Sequence, residues 1–256
     1  MFDYVKNQYN MEPLLFLQND RSESFLYVKY AASPCMDLSP KQGFLRSMHK
    51  KKFWYNIRRS EKFFNDKYGE LHFDVLKDKE GLVFFLDQVY TLFNSRWSKE
   101  YTSFTWKNKE GFEKYKTAMI DLSAQDKAFL AVLYDENKRL LSYGYCLVEE
   151  GVVYFYQHTT IIQEKYRKYS LGRVFLNQLI KYCIDSKYKK IDFMTGNSSY
   201  KKEWSNNINY IYRLAGRKNF IGYIKKYLIK IKYFFQFNRL TRPVLKSVFK
   251  VMDRLL

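Results

Sequence analysis

Acidic residues are in short supply in this chain of 256: 26 Asp and Glu stand against 45 Lys and Arg, a formal charge of +19. The imbalance implies an anionic partner, whether a phosphorylated cofactor, an acidic lipid surface or nucleic acid. Cysteine is rarer still. Cys35, Cys146 and Cys183 are widely spaced, odd in number and form no CxxC pair. Neither a zinc site nor a disulfide framework is expected, and a reducing, cytoplasmic setting fits. With four prolines and ten glycines, the chain has no low-complexity linker, and no internal repeat is visible. The N-terminus MFDYVKNQYNMEPLLFLQND lacks the apolar core and cleavage site of a secretory signal. No apolar run reaches membrane-spanning length, so any membrane contact is expected to be peripheral, at the inner face of the cell membrane.

What the chain has in quantity is packing material: 46% hydrophobic and 20% aromatic residues, enough apolar surface to offset the entropy of ordering. PLLFL and SFLYVKY read as extended pieces in the first 45 residues, broken by SPCMDLSP. A basic helix is expected from about Leu45 through RSMHKKKFWYNIRRSEKFF, with Lys50, Lys51, Lys52, Arg58, Arg59 and Lys62 around Phe53, Trp54 and Ile57. LHFDVL reads as a strand and GLVFFLDQVYTLFNSRW as a helix, because its apolar residues recur at helical spacing. Another helix is expected near Phe112–Leu122.

The pattern then changes to strands. AFLAVLYD, LLSYGYCLVEE and VVYFYQHTTI form a three-stranded meander. YSLGRVFLNQLIKYCIDSKY reads as a buried helix, KIDFMTG as a short strand, SSYKKEWS as a helical turn and NNINYIYRLAG as a last strand. This order predicts an α/β (α+β) domain with a central mixed sheet. Beyond it, Phe220, Ile224, Tyr227, Leu228, Ile231 and Phe235 share one helical face, and a second amphipathic helix follows Pro243. Asp253 is the sole acid in this tail. Such basic amphipathic C-terminal helices suit an anionic leaflet.

The candidate chemistry lies between Tyr156 and Trp204. A strand, a loop and a helix start at SLGR aim several backbone N–H groups in one direction, where a phosphate or pyrophosphate can bind. Ser170 can cap that helix, Gly172 allows close approach, and Arg167, Lys168 and Arg173 supply charge. By itself S-x-G before a helix is also an ordinary cap.

The segment YFYQHTTIIQEKYRKYSLGRVFLNQLIKYCIDSKYKKIDFMTGNSSYKKEW resembles the signature of the CelD/BcsL-like branch of the GNAT superfamily, itself related to the FemAB-like transferases. Tyr166, Ser170, Gly172, Asp192, Phe193, Gly196, Tyr200, Lys201 and Trp204 carry the resemblance, in the family's order. Upstream, SPCMDLS, the helix with Asn56, Arg58 and Arg59, and the pair Arg96–Trp97 match it too, so it runs from about residue 33 to 215. Leu171 stands where relatives have proline, and Gln163 where they have Asp.

The resemblance implies a GNAT fold and acyl transfer from acetyl-CoA or another acyl-CoA to an amine, with no metal. It places the cofactor on Thr159, Thr160, Arg167, Lys168, Ser170, Leu171, Gly172 and Arg173, and the acceptor near Gly196, Lys201, Trp204 and Arg96. Tyr200 takes the role of the acid for the departing sulfur. His158 is the candidate base, since imidazole titrates near neutrality, and Asp192 is a third candidate for the chemistry.

Each has a structural alternative: His158 as a core histidine, Asp192 as a strand-end acceptor, Tyr200 and Trp204 as packing aromatics, Lys201 as a solvated face. The basic helix could be soluble surface or suit nucleic acid, although no RNA- or DNA-binding motif accompanies it. The expected division is 1–45 as the remnant of a first GNAT-like half, 46–216 as the acyltransferase domain and 217–256 as the helical tail. The expected activity is N-acylation, of an amino sugar of a surface polysaccharide or lipid. The alternatives are a FemAB-like transferase drawing on aminoacyl-tRNA to modify a cell-wall precursor, and a non-catalytic membrane-associated protein of the same fold. A nucleic-acid partner is expected only as tRNA in the former.

Overall fold

The computed structural model describes residues 4–7, 25–39, 41, 43–97, 108–196 and 198–216. PLLFL and the amphipathic segments of 217–256 lie outside the described residues. The chain forms two compact units: Met1–Pro34, Thr195–Glu203 and Asn207–Leu256 in the first, Cys35–Met194 and Trp204–Asn206 in the second.

In the first unit, β1 (Tyr4–Asn7) pairs antiparallel with β8 (Asn207–Gly216), Tyr4 opposite Arg213. β8 neighbours β2 (Phe25–Asp37). β2 runs through SPCMD, where the sequence suggested a break. Pro34 can offer no N–H, and the ladder from β2 to β7 begins at the next residue, Cys35 opposite Asp192.

The second unit is a sheet in the order β2-β7-β6-β5-β4-β3, with β3 at His72–Leu76, β4 at Ala128–Tyr134, β5 at Leu140–Glu149, β6 at Val152–Thr160 and β7 at Lys190–Asp192. All pairs are antiparallel except β6 with β7, which is parallel. Every residue of β4 is buried, and its two faces explain the unbroken apolar run. Ala128, Leu130, Val132 and Tyr134 join a core with α3 (Lys79–Trp97) and α4 (Lys109–Ala124). On the other face Phe129 meets Tyr182 of α5 (Leu171–Asp185). α3 contributes Leu82, Phe85, Leu86, Val89, Leu92 and Phe93, all buried at the i, i+3, i+4, i+7 spacing read from the sequence. Each adds about 2 kcal/mol by leaving water.

The basic helix is two pieces, α1 (Phe44–Ser47) and α2 (Lys51–Tyr68), separated at Met48–Lys50. Trp54, Ile57 and Phe64 form its buried stripe. Phe64 packs on Tyr166 and Tyr169 of the 3-10 turn Glu164–Tyr169 that precedes α5.

Burial sets an alkaline limit. It pushes the hydroxyls of Tyr134 and Tyr156 up to about 12, and those of Tyr143, Tyr145 and Tyr188 and the thiols of Cys146 and Cys183 upward too. These groups are neutral when protonated, so the native state holds protons that the unfolded chain releases. Their contribution is complete below the unfolded values, near 8.5 for thiols and 10 for tyrosines, and is lost as pH rises toward the folded ones. The melting temperature is expected to fall from about pH 9 and more steeply above about pH 10; a flat profile to pH 11 in a calorimetric pH series would contradict it.

Candidate active site

β6 is held by β7 only from Val152 to Tyr154, opposite Lys190 to Asp192. β7 stops there because the Asp192 carboxylate accepts the Met194 N–H at 2.8 Å while Met194 turns left-handed at φ 61°, a side-chain turn that ends a strand. This is the strand-end acceptor role, and Asp192 is fully buried in it.

β6 itself continues to Thr160, paired only with β5. Tyr145 faces Gln157 and Cys146 faces Phe155, so Tyr156 is an extra residue, a β-bulge of the kind that bends a strand next to active sites. β6 thus leaves β7 at its bulge. Backbone groups that alternate toward the β7 side from Tyr156 to Thr160 have no strand across from them in that ladder.

Pairing fixes the faces beyond the bulge. Gly144 lies opposite His158, and a Cβ on Gly144 would stand 2.3 Å from Phe155 and 3.0 Å from Phe175 of α5. His158 therefore projects on the α5 side, where its ring stacks on Phe155 at 4.6 Å and 23°. Thr160 shares that side: its Oγ1 is 2.8 Å from Ser142 Oγ, and a Cβ on Gly172 would lie 3.3 Å from it. The strand end and the start of α5 are in contact.

Thr159 projects the other way and is buried. Its Oγ1 accepts from Trp97 Nε1 at 2.9 Å and donates to the His158 carbonyl at 2.7 Å. Arg96 Nη1 donates to the Thr160 carbonyl at 3.1 Å, its guanidinium 4.8 Å from the Trp97 ring. Thr159 and Arg96, both expected near ligands, take part in fixing the end of β6 to α3. On the same side Tyr156, about one-third exposed at 36%, shares a hydroxyl hydrogen bond with Tyr115 of α4.

The helix start departs from the expected cap. Ser170 sits left-handed at φ 47° and makes no side-chain cap bond. Its carbonyl takes the N–H groups of Arg173 and Val174, while those of Leu171 and Gly172 precede any helical acceptor. No acid occupies the first turn, so no side-chain carboxylate there offsets the positive end of the helix dipole. Leu171 is buried, and the Arg173 guanidinium lies 5.7 Å over Phe53. Lys168 lies 5.2 Å over Tyr169, and Arg167, 79% exposed, pairs loosely with Glu164 at 3.6 Å. Gln163 is held by Arg139, which also donates to the Tyr166 hydroxyl.

Trp204, at the end of α6 (Ser199–Trp204), is fully buried among His49, Phe53 and Trp54, at centroid distances of 5.6, 5.3 and 5.9 Å. That is packing. Within the first unit, Lys201 Nζ donates to the Thr195 carbonyl at 2.7 Å and would meet a Cβ on Gly196 at 3.3 Å. Gly196 adopts φ +126°, open to glycine alone. Tyr200 precedes Lys201 on the same helix and is partly buried. Among the described residues no group of three or more His, Cys, Asp or Glu could hold a metal.

Sequence reasoning missed the bulge at Tyr156, the Tyr115 partner and Arg139. Gly144 carried a usable signal, since glycine inside a strand marks close approach.

Three solved structures share the fold. A conserved protein of unknown function from Bacteroides thetaiotaomicron aligns at TM-score 0.52 and 10% identity, over 77% of this chain and 63% of its own. The C-terminal domain of a putative lysylphosphatidylglycerol synthetase from Agrobacterium fabrum aligns at 0.53 and 11%, over 78% and 64%. FemX aligns at 0.50 and 11%, over 73% and 62%. The chain thus spans under two thirds of each of these. No curated protein matches the sequence. The model of the acetyltransferase (GNAT) domain matches residues 51–202, more than half of the chain, and this protein belongs to that family.

Proposed function

We propose that the protein is an acyl-CoA-dependent N-acyltransferase, using acetyl-CoA or a longer acyl-CoA, with an amino sugar of a surface polysaccharide or lipid as acceptor. One observation carries the donor: β6 parts from β7 at the Tyr156 bulge, and its end at Thr160 lies against an uncapped, acid-free helix start flanked by Arg167, Lys168 and Arg173. Acyl-CoA supplies the thioester. Leu171 and Gly172 N–H groups and the three cations hold its phosphates, and the open edge of β6 lies along its arm. His158 accepts the proton that the amine loses on attack, β6 N–H groups polarise the carbonyl, and by the family's pattern Tyr200 returns a proton to the sulfur.

The direct test follows free thiol release from acetyl- and longer acyl-CoAs with candidate amino sugars. The absence of both turnover and calorimetric binding of any acyl-CoA would overturn the proposal. Arg173→Glu gives a sharper one. It puts an acid into a first turn that has none, which favours the helix by about 0.3–1 kcal/mol, and sets it against the cofactor phosphates. The expected result is an unchanged or slightly higher melting temperature, an acyl-CoA KM raised about tenfold, and kcat within about twofold. An unchanged KM would remove the phosphates from this helix start.

The charge of +19 favours a second reading, transfer from aminoacyl-tRNA. Tight, charge-state-dependent gel shift of charged tRNA, with no response to acyl-CoA, would replace the first reading with it. Membrane proximity of the acceptor fits the basic segment 217–256; among the described residues no helix is long and apolar enough to cross a membrane.

A further inference from the structure

Among the described residues, no element packs on the face of α2 turned away from its buried stripe. It exposes Lys51, Lys52, Arg58, Arg59, Lys62 and Lys67 and one acid, Asp66. The described ion pairs all lie elsewhere, so among the described residues no carboxylate pairs with these cations. Between them stand two large exposed rings, Tyr55 at 55% and Phe63 at 47%, the latter under the Arg59 guanidinium at 4.9 Å. Leaving a phenylalanine half in water on the most basic helix of the unit does nothing for the packing of α2, whose buried stripe is Trp54, Ile57 and Phe64.

We propose that this face of α2 is a docking surface for an anionic lipid bilayer. At 18 residues the helix is about 27 Å long, and both rings and the cations lie on its exposed half, with Lys52, Arg59 and Asp66 between the rings. Successive positions at about 100° place Tyr55 and Phe63 within about 80° of each other, with Arg58 and Lys62 on one flank and Lys67 on the other. Rings toward the acyl boundary and long cations reaching to the headgroups is how a helix lies in a membrane interface. A single-stranded nucleic acid fits less well. The rings are eight positions apart, about 12 Å along the axis, whereas stacking platforms serve successive bases.

The residues of this surface are other than 217–256 and other than those assigned to acyl transfer, so the two proposals fail independently. Full-length protein is floated with phosphatidylcholine vesicles, with and without phosphatidylglycerol. The wild type is expected to bind only the anionic vesicles, and less so in high salt. Arg59→Glu with Lys62→Glu is expected to weaken that binding at least tenfold, since each cation near an anionic surface changes partitioning about fivefold. Tyr55→Ser with Phe63→Ser is expected to weaken it about tenfold while retention on heparin stays unchanged. Melting temperature and thiol release with a soluble acceptor should be unaltered in both variants. Vesicle binding by either variant at wild-type strength overturns the proposal. So does loss of tRNA gel shift in both variants with vesicle binding retained, which would make the face an RNA surface.

Discussion

Replacement of His158 by alanine is expected to lower kcat about 100-fold and to leave the acyl-CoA KM within about threefold, the size of effect a positioned acid or base has on a proton transfer. The reason is placement. His158 is half-buried on the α5 side of β6, beyond the last β7 pair, and its ring is oriented by stacking on Phe155 at 4.6 Å. The elements proposed to bind acyl-CoA, the helix start and its cations, are untouched, so kcat should fall alone. The melting temperature should hold within a few degrees, because the imbedded half of the ring rests on one face of Phe155. Steady-state thiol release with saturating acceptor decides the matter: a kcat within threefold of wild type would assign His158 to the core. Tyr200→Phe deletes one oxygen, and a loss of about tenfold in kcat is the expected mark of an acid for the leaving thiolate.

Long periodic segments were readable because burial imposes their periodicity directly. α3 and the all-buried β4 follow from where apolar residues recur, and the meander β4–β5–β6 from the turns between them. The helix start at Leu171 was readable from S-x-G, yet its geometry was not: Ser170 adopts φ 47° and leaves its hydroxyl out of the cap, a backbone choice that composition does not encode. The break at Met48–Lys50 has no proline or glycine to announce it. The Tyr156 bulge depends on register against a partner strand, and a one-residue slip leaves no mark in a run such as VVYFYQHTT. Contacts between distant residues, Trp97 with Thr159 and Arg139 with Tyr166, could not be inferred from spacing. Those missing pieces set the geometry of the site, while the residue types named its chemistry.

The two faces of β6 divide the work. On the α3 side, Trp97 and Arg96 bind the strand end through Thr159 and the Thr160 carbonyl, compensating for the absence of β7 beyond Tyr154. On the α5 side, His158 stacks on Phe155 and Thr160 lies against Gly172 at the helix start. A strand released from its neighbour on one edge has to be immobilised by its side chains if its backbone is to stay aligned. The polar contacts to Arg96 and Trp97 serve that end.

Gly144→Ala is expected to cost about 3 kcal/mol of stability and to lower the melting temperature by about 10 °C. The added Cβ would stand 2.3 Å from Phe155 Cε2 and 3.0 Å from Phe175 Cζ. Both rings are buried, at 1% and 2% exposure. Phe155 cannot yield freely: His158 covers one face at 4.6 Å, Phe193 meets it edge-on at 6.2 Å, and the bulge begins at the next residue. Relief therefore has to come from moving β6 away from β5 at the residue pair that carries His158, so kcat should fall with stability. Gly144→Ala combined with Phe155→Leu separates the two effects. The smaller side chain should restore at least half of the lost melting temperature while kcat stays low, because His158 no longer has a ring to stack on. A single-variant melting temperature within about 2 °C of wild type would mean that the close approach at Gly144 is slack, and that something other than the Phe155 ring sets the orientation of His158.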